Sequence, residues 1–261
     1  MSTDPRTWIA TLRQSHDRLA GLVEPMTPEQ VRAQSYCRDW NQAQVLSHLG
    51  SGAEISLLML PGALGEAEPV SNAAFGPVWD VWNAKSPDEQ AADALVSDEQ
   101  QIATLEALTD EQLAVARMDF IGMQLDAVGI IRLRLGEHVL HTWDLAVTAD
   151  PDATVQANAV ELLIDNVPQF LAPRLGKTPA DPFAVRIRTT GPDRDYLLTS
   201  GDSITMENWP GESAGEVPHV TMPAEALLRL SYGRLDPAHT PSSVDADAEV
   251  LDKLRTIFPG F

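Results

Sequence analysis

Three residues of this chain have the types and the spacing of metal ligands: His48, Glu137 and His141. Glu137 and His141 are four residues apart in a segment that predicts a helix, so their side chains share one helix face. His48 lies far upstream, in a second predicted helix. Two imidazoles and one carboxylate suit a divalent ion such as zinc, nickel or iron. If the two helices face each other, three protein ligands leave positions open for water or substrate, as catalysis requires.

A solvated surface pair is the simpler interpretation of Glu137 and His141 taken alone. The surrounding residues favour a buried site instead. A polar stripe at intervals of three or four residues comprises Arg134, Glu137, His141 and Asp144. The rest of this segment is strongly apolar, which predicts a buried helix whose polar side chains need partners. We therefore expect a metal there, with supporting hydrogen bonds from Asp144 or Arg134. His138 is about 100° from Glu137 around the helix, and we expect it to pack or to be partly exposed rather than to bind metal.

The charge of the chain disfavours several classes of partner. Its 261 residues include 38 Asp plus Glu against 18 Lys plus Arg, for a net charge of −20. Nucleic acids and anionic membranes bind basic surfaces, so neither is an expected partner. No apolar run approaches the roughly 20 residues of a membrane span. The first five residues lack the basic and apolar regions of a signal peptide, and Cys37 is the only cysteine. We therefore expect a cytoplasmic protein without disulfides. Arginine outnumbers lysine, which suggests a high-GC bacterial source.

The periodicity of apolar residues divides the chain into two parts. We predict helices over residues 4–22, 27–35, 41–60, 87–107, 110–116, 120–148 and 152–171, a surface loop over 61–77, strands over 183–189, 196–199, 203–206 and 217–222, and helices over 223–232 and 246–258. The expected fold class is α+β. A helical bundle over residues 1–175 is followed by a small α/β domain over residues 183–261, and the Pro-rich segment 172–182 joins them.

Three segments occur in an order that is typical of a known family: residues 40–49 around His48, the Glu137/His141/Asp144 pattern, and residues 227–234, which end in Arg234. Together they resemble the mycothiol-dependent maleylpyruvate isomerase family over most of the chain. The resemblance implies a DinB-like four-helix bundle followed by a small α/β domain. It implies a divalent metal, usually zinc, held by His48, Glu137 and His141. It also implies the use of mycothiol, the low-molecular-weight thiol of actinobacteria.

The chemistry that this resemblance implies fits the residues. A divalent ion stabilises a thiolate near neutral pH, and the thiolate can add to a small electrophile. Addition to a cis enoate, rotation and elimination give an isomerase, whereas release of the thioether gives an S-transferase. Cys37 precedes the His48 helix, and we expect it to pack near Trp40, so an external thiol is the more natural nucleophile. Both enzyme types occur in the family, and the substrate stays open.

Arg234 is the catalytic candidate outside the metal ligands. The resemblance implies an arginine here that reaches a substrate carboxylate across a domain cleft. Stabilisation of a helix end by its charge is equally compatible with its position, and Arg229 can fill either role. Residues 61–90 contain Lys85 and no arginine. A dicarboxylate needs several cationic contacts, so this segment disfavours maleylpyruvate itself as the substrate.

Two other classes of function stay open. One is a non-catalytic, metal-containing binding or regulatory module of the same fold. The other is a metal-dependent hydrolase, in which metal-bound water attacks an ester or amide. Glu54 is the nearest further carboxylate to His48 along the chain, but a spacing of six residues places it on the opposite side of that helix, which disfavours the hydrolase. The sequence leaves the identity of the metal and the oligomeric state open.

Overall fold

The computed structural model describes residues 3–120, 122–211 and 215–260, and the chain divides into two compact units between Ala153 and Thr154. The first unit contains α1 (Pro5–Val23), α2 (Pro28–Arg32), α3 (Gln42–Ala63), α4 (Phe75–Ala84), α5 (Pro87–Ala107), α6 (Asp110–Val115), β1 (Arg117–Phe120), β2 (Met123–Asp126) and α7 (Ala127–Ala146). The second contains α8 (Ala157–Leu163), a π-helical turn (Val167–Leu171), α9 (Ala172–Leu175), β3 (Phe183–Thr190), β4 (Arg194–Ser200), β5 (Ile204–Asn208), β6 (His219–Pro223), α10 (Ala224–Ser231) and α11 (Ala248–Ile257). The expected α+β class, a helical bundle followed by a small α/β unit, is confirmed.

Four long helices, α1, α3, α5 and α7, form the bundle of the first unit. Helix α3 packs against α5 and α7, and α1 packs against α7 and α5. Each of the four begins at a polar residue whose side chain accepts a hydrogen bond from a backbone N–H of the first turn: Asp4, Asn41, Ser86 and Asp126. Such caps satisfy N–H groups that have no partner within the helix. The starting points of the two helices that carry the metal-ligand candidates are therefore encoded locally.

A β-hairpin precedes α7, so the expectation of an all-helical segment over residues 1–175 is wrong. Strand β1 pairs antiparallel with β2, with Arg117 opposite Asp126. Gly122 has φ +75°, and its N–H donates to Oδ1 of Asp119 at 2.9 Å, which closes the turn. Helix α7 consequently begins at Ala127 rather than near residue 120. Over so short a run, scattered apolar residues fit a helical period as well as an alternating one.

The loop expected over residues 61–77 is shorter in the structure. Helix α3 continues through Pro61 to Ala63, and a short 3₁₀ turn at Asn72–Ala74 leads directly into α4. Trp82 on α4 is buried, whereas Trp79 is 48% exposed. Among the described residues, no helix is long and apolar enough to cross a membrane.

The second unit is built on a four-stranded sheet in the order β5-β4-β3-β6. Strands β3, β4 and β5 pair antiparallel, and β6 pairs parallel with β3. Alternate residues of β3 and β4 are buried, as the alternating pattern of the sequence predicts.

The sequence predicts the domain junction at residues 172–182. The compact units divide earlier, after Ala153, so α8 and α9 belong with the sheet. Helical periodicity does not report which core a helix joins.

Candidate metal centre

The structure brings His48, Glu137 and His141 together. His48 projects from α3, and the other two project from α7; one ligand atom of each lies within 4.8 Å of those of the others. Oε2 of Glu137 is 3.3 Å from Nε2 of His48 and 3.6 Å from Nε2 of His141. The two imidazole ring centroids are 4.8 Å apart. Two helices therefore present three donor atoms to one point, as expected, while metal binding itself stays a prediction.

The three side chains differ in exposure, and this gives the site an open side. The side chain of His141 is only 10% exposed. Those of His48 and Glu137 are 37% and 46% exposed. Trp40 lies against the two histidines, with its ring centroid 5.1 Å from that of His48 and 6.0 Å from that of His141. One edge of the site is thus walled by an indole, and the His48–Glu137 edge is accessible to solvent or to a small molecule.

Asp144 fixes the orientation of the His141 ring. Its carboxylate is fully buried, and Oδ2 lies 2.8 Å from Nδ1 of His141. An ionised carboxylate only accepts hydrogen bonds, so Nδ1 carries the proton and the lone pair of a neutral ring is at Nε2, facing Glu137. A metal-binding histidine commonly has its other ring nitrogen held in this way. The supporting role expected for Asp144 therefore has the required geometry.

Cys37 adds a second hydrogen bond to the same carboxylate oxygen. Its Sγ donates to Oδ2 of Asp144 at 3.1 Å. Cys37 is also close to Trp40, three residues later. The backbone N–H of Trp40 donates to the backbone carbonyl of Cys37 at 3.1 Å. The expected proximity to Trp40 is confirmed, but the contact with Asp144 was not anticipated. No sequence signal indicates it, because the two residues are 107 positions apart.

The pKa values of His141 and Glu137 both favour their charged forms. Burial by itself would lower the pKa of His141, but its hydrogen bonds, led by the one with Asp144, raise the pKa to about 10. Glu137 is half-exposed, and the protein that surrounds the rest of its side chain opposes its ionisation, yet hydrogen bonds with His141 and His48 hold its pKa well below the usual range. In a neutral His141, the lone pair of Nε2 would face the Glu137 carboxylate at 3.6 Å. Two hydrogen-bond acceptors so close together need a positive charge between them. A proton or a divalent metal ion supplies it, so the donor set fits a metal.

Of the two residues expected to support the ligands, Asp144 forms the direct hydrogen bond to His141, whereas Arg134 contacts a neighbouring helix. Its guanidinium turns away to Asp98 on α5, with Nη2 2.7 Å from Oδ1, and Nη2 also donates to the carbonyl of Leu49 at 3.0 Å. His138 is fully buried and packed, one of the two alternatives expected for it. The four residues of the stripe do lie on one side of α7, with residues 134 and 141 about 20° apart around the helix, but the long Arg134 side chain reaches Asp98 on α5.

In the second unit, Arg229 and Arg234 have different surroundings. Arg229 is almost fully buried and forms two hydrogen bonds with the Glu225 carboxylate, and its Nη1 donates to the carbonyls of Arg234 and His239. These contacts give it a structural role in holding the segment after α10. Arg234 is 8% exposed, and its Nη1 donates to the Tyr232 carbonyl at 3.1 Å. The catalytic role predicted for Arg234 stays a prediction.

Two other polar candidates are engaged in local contacts. Nζ of Lys85 lies 3.7 Å from the ring centroid of Trp82 and 2.9 Å from Oδ2 of Asp93. Oε2 of Glu54 accepts a hydrogen bond from Nε1 of Trp82 at 2.8 Å. Both side chains are therefore bound to α4 or to the start of α5.

Comparisons with known proteins agree with this architecture. Residues 12–146 match the family model described as the mycothiol maleylpyruvate isomerase N-terminal domain, and residues 161–253 match the model of the C-terminal domain of the same family. The fold is similar to the crystal structure of the mycothiol-dependent maleylpyruvate isomerase, with a TM-score of 0.67 and 15% identity over 90% of this chain and 92% of that one. A His→Ala mutant of that isomerase gives a TM-score of 0.66 and 14% identity over the same shares. No curated protein sequence matches significantly.

Proposed function

Because this chain belongs to the mycothiol maleylpyruvate isomerase family, we propose that it is a metal- and mycothiol-dependent enzyme that adds a thiolate to a small electrophile. The reaction is either cis–trans isomerisation of an unsaturated acid or S-transfer. We also propose that the protein is cytoplasmic and actinobacterial, as expected from the sequence, because mycothiol is an intracellular thiol of actinobacteria.

The observation that supports this most strongly is the convergence of His48, Glu137 and His141 from two helices of the bundle. These three residues would hold the metal, and zinc is proposed because two imidazoles and a carboxylate with an open position form a common catalytic zinc set. When bound, such an ion stabilises the thiolate form of a thiol. The exposed edge formed by His48 and Glu137 is the side from which a thiol can approach.

The neighbouring residues have separate tasks. Asp144 holds the Nδ1 proton of His141, so that Nε2 stays directed at the metal position. The indole of Trp40 covers the two imidazoles and reduces the access of water along that edge. Cys37 donates its thiol proton to Asp144, so the sulfur of this residue is engaged within the protein. The attacking sulfur is therefore proposed to come from mycothiol.

Arg234 is proposed to bind an anionic group of the substrate, since a guanidinium binds carboxylates with two parallel hydrogen bonds. Arg229 is the alternative candidate for this task, and its guanidinium would have to exchange contacts with Glu225 and two carbonyls to perform it. An anionic electrophile is accordingly the preferred substrate class.

Metal analysis tests the centre itself. We expect about one divalent ion per chain in the wild type and loss of the ion in His48→Ala and in His141→Ala. His219→Ala is the matched control, because His219 is an exposed histidine of β6. Unchanged metal content in both ligand variants contradicts the proposed centre.

The thiol requirement is tested by incubating the zinc-loaded protein with mycothiol and a panel of electrophiles and unsaturated acids, read by mass spectrometry. We expect a thioether or an isomerised acid that forms only when both the metal and the thiol are present. Full activity without added thiol would instead assign a hydrolase. Absence of mycothiol binding by calorimetry on the metal-loaded protein would assign a non-catalytic module.

A further inference from the structure

A second polar cluster lies in the core of the bundle, and the proposed chemistry does not use it. The Asp98 cluster consists of Asp98, Ser15, His16, Arg134 and His138. The side chain of Asp98 is fully buried. Its Oδ1 lies 2.7 Å from Nη2 of Arg134, and its Oδ2 lies 2.7 Å from both Nε2 of His138 and Nδ1 of His16.

The hydrogen bonds of the Asp98 cluster form a consistent set. The Asp98 carboxylate accepts from both histidines, so His138 carries its proton on Nε2. Nδ1 of His138 then accepts from the hydroxyl of Ser15 at 2.7 Å. The positive guanidinium of Arg134 balances the carboxylate. A buried charge with this many partners is stabilised where it lies, and removing one partner leaves an uncompensated charge.

The Asp98 cluster connects all four long helices of the bundle. Ser15 and His16 lie on α1, Asp98 lies on α5, and Arg134 and His138 lie on α7. The connection to α3 is the hydrogen bond from Arg134 to the carbonyl of Leu49. Leu49 directly follows His48 in the chain, and His138 directly follows Glu137. The cluster therefore restrains the backbone next to ligand candidates on both helices.

We infer that Arg134 and Asp98 are positioning residues that set the separation between His48 on α3 and Glu137 and His141 on α7. This inference rests on the proposed metal centre. The guanidinium of Arg134 passes close to α3 at Gly52. A Cβ on Gly52 would lie 3.0 Å from Nη1 of Arg134. That approach is tighter than ordinary van der Waals contact. Gly52 thus leaves the space in which Arg134 reaches both Asp98 and the α3 backbone.

Positioning and through-space electrostatics predict opposite effects for one substitution. Arg134→Gln removes a positive charge one helical turn from Glu137. Electrostatics alone predicts tighter binding of a divalent cation, because a like charge has been removed. A positioning role predicts weaker binding, because α3 and α7 lose their shared contact. Arg134→Lys keeps the charge and part of the contact, so it should recover part of the affinity.

The test measures Co²⁺ affinity by competition with a chelator and the visible absorption of the bound ion, which reports its coordination geometry. Circular dichroism and thermal unfolding first establish that each variant is folded at the assay temperature. We expect Arg134→Gln to bind Co²⁺ about 10- to 100-fold more weakly, the range found when groups that orient ligands are removed, with an altered spectrum. Gly52→Ala should show a smaller change in the same direction. Gly21→Ala is the matched control, because a Cβ there meets nothing within 4 Å, and it should match the wild type.

Each outcome decides the inference. Wild-type or tighter affinity with an unchanged spectrum in folded Arg134→Gln overturns it. If Arg134→Gln does not fold, Arg134→Lys decides, and wild-type Co²⁺ affinity and spectrum of that variant overturn the inference. A wild-type protein that binds no Co²⁺ overturns the proposed metal centre itself, and the inference with it. If the wild-type protein binds Co²⁺ and every variant binds it with the same affinity and spectrum, the inference is overturned and the proposed metal centre stands.

Discussion

Replacing Asp144 by asparagine should weaken metal binding without removing a ligand. The buried carboxylate accepts hydrogen bonds from His141 and Cys37 at 2.8 and 3.1 Å. The asparagine side chain would keep the shape, and its carbonyl oxygen can take the position of Oδ2, but the negative charge that both donors face is lost. Loss of a charged hydrogen bond costs about 1.5–3 kcal/mol. Removal of groups that orient metal ligands lowers affinity about 10- to 100-fold, which corresponds to about 1.4–2.8 kcal/mol. The two estimates agree.

Competition titration of Zn²⁺ against a chromophoric chelator at fixed pH measures this effect. Asp17→Asn is the control, because it removes the same charge from an exposed position on α1. A protein of net charge −20 attracts cations at long range, and that contribution is screened by salt. The loss in Asp144→Asn should persist at high ionic strength, whereas any loss in Asp17→Asn should vanish. Equal affinity in Asp144→Asn and the wild type, or equal losses in both variants, would refute the role given to Asp144.

Three further predictions concern mechanism and stability. Cys37→Ser should keep activity and its dependence on added mycothiol, and loss of the thiol dependence in steady-state assays would make Cys37 the nucleophile. Arg234→Ala should raise the KM of an anionic substrate more than that of a neutral one, by up to about 1.5–3 kcal/mol of binding; equal effects on both would assign Arg234 a structural role. Burial by itself would raise the pKa of Asp98, but His138, His16 and Arg134 hold it well below its usual range. The stability from this depressed pKa is present above about pH 4, the unfolded value, and is lost as pH falls through the lower folded value. Denaturant unfolding should therefore show a steeper acid loss in the wild type than in Asp98→Asn, and parallel pH profiles would contradict this.

The sequence by itself determined the features that depend on neighbours a few residues away. Asn41 and Ser86 are local caps, and α3 and α5 begin directly after them. The four-residue spacing of Glu137 and His141 places both on one face of α7 wherever the helix lies. Alternation along residues 183–189 identifies β3, since a strand alternates its faces residue by residue. In each case the helical or pleated backbone converts a short sequence interval into a direction in space.

Tertiary structure alone decided which distant groups meet. The sequence places Arg134 in one polar stripe with Glu137, but packing pairs it with Asp98 on another helix. Cys37 reaches Asp144 although 107 positions separate them. The division of the chain after Ala153 likewise depends on which core α8 joins, and its helical period carries no information about that. Local periodicity fixes the direction of a side chain relative to its own helix, whereas its partner depends on how whole helices pack against each other.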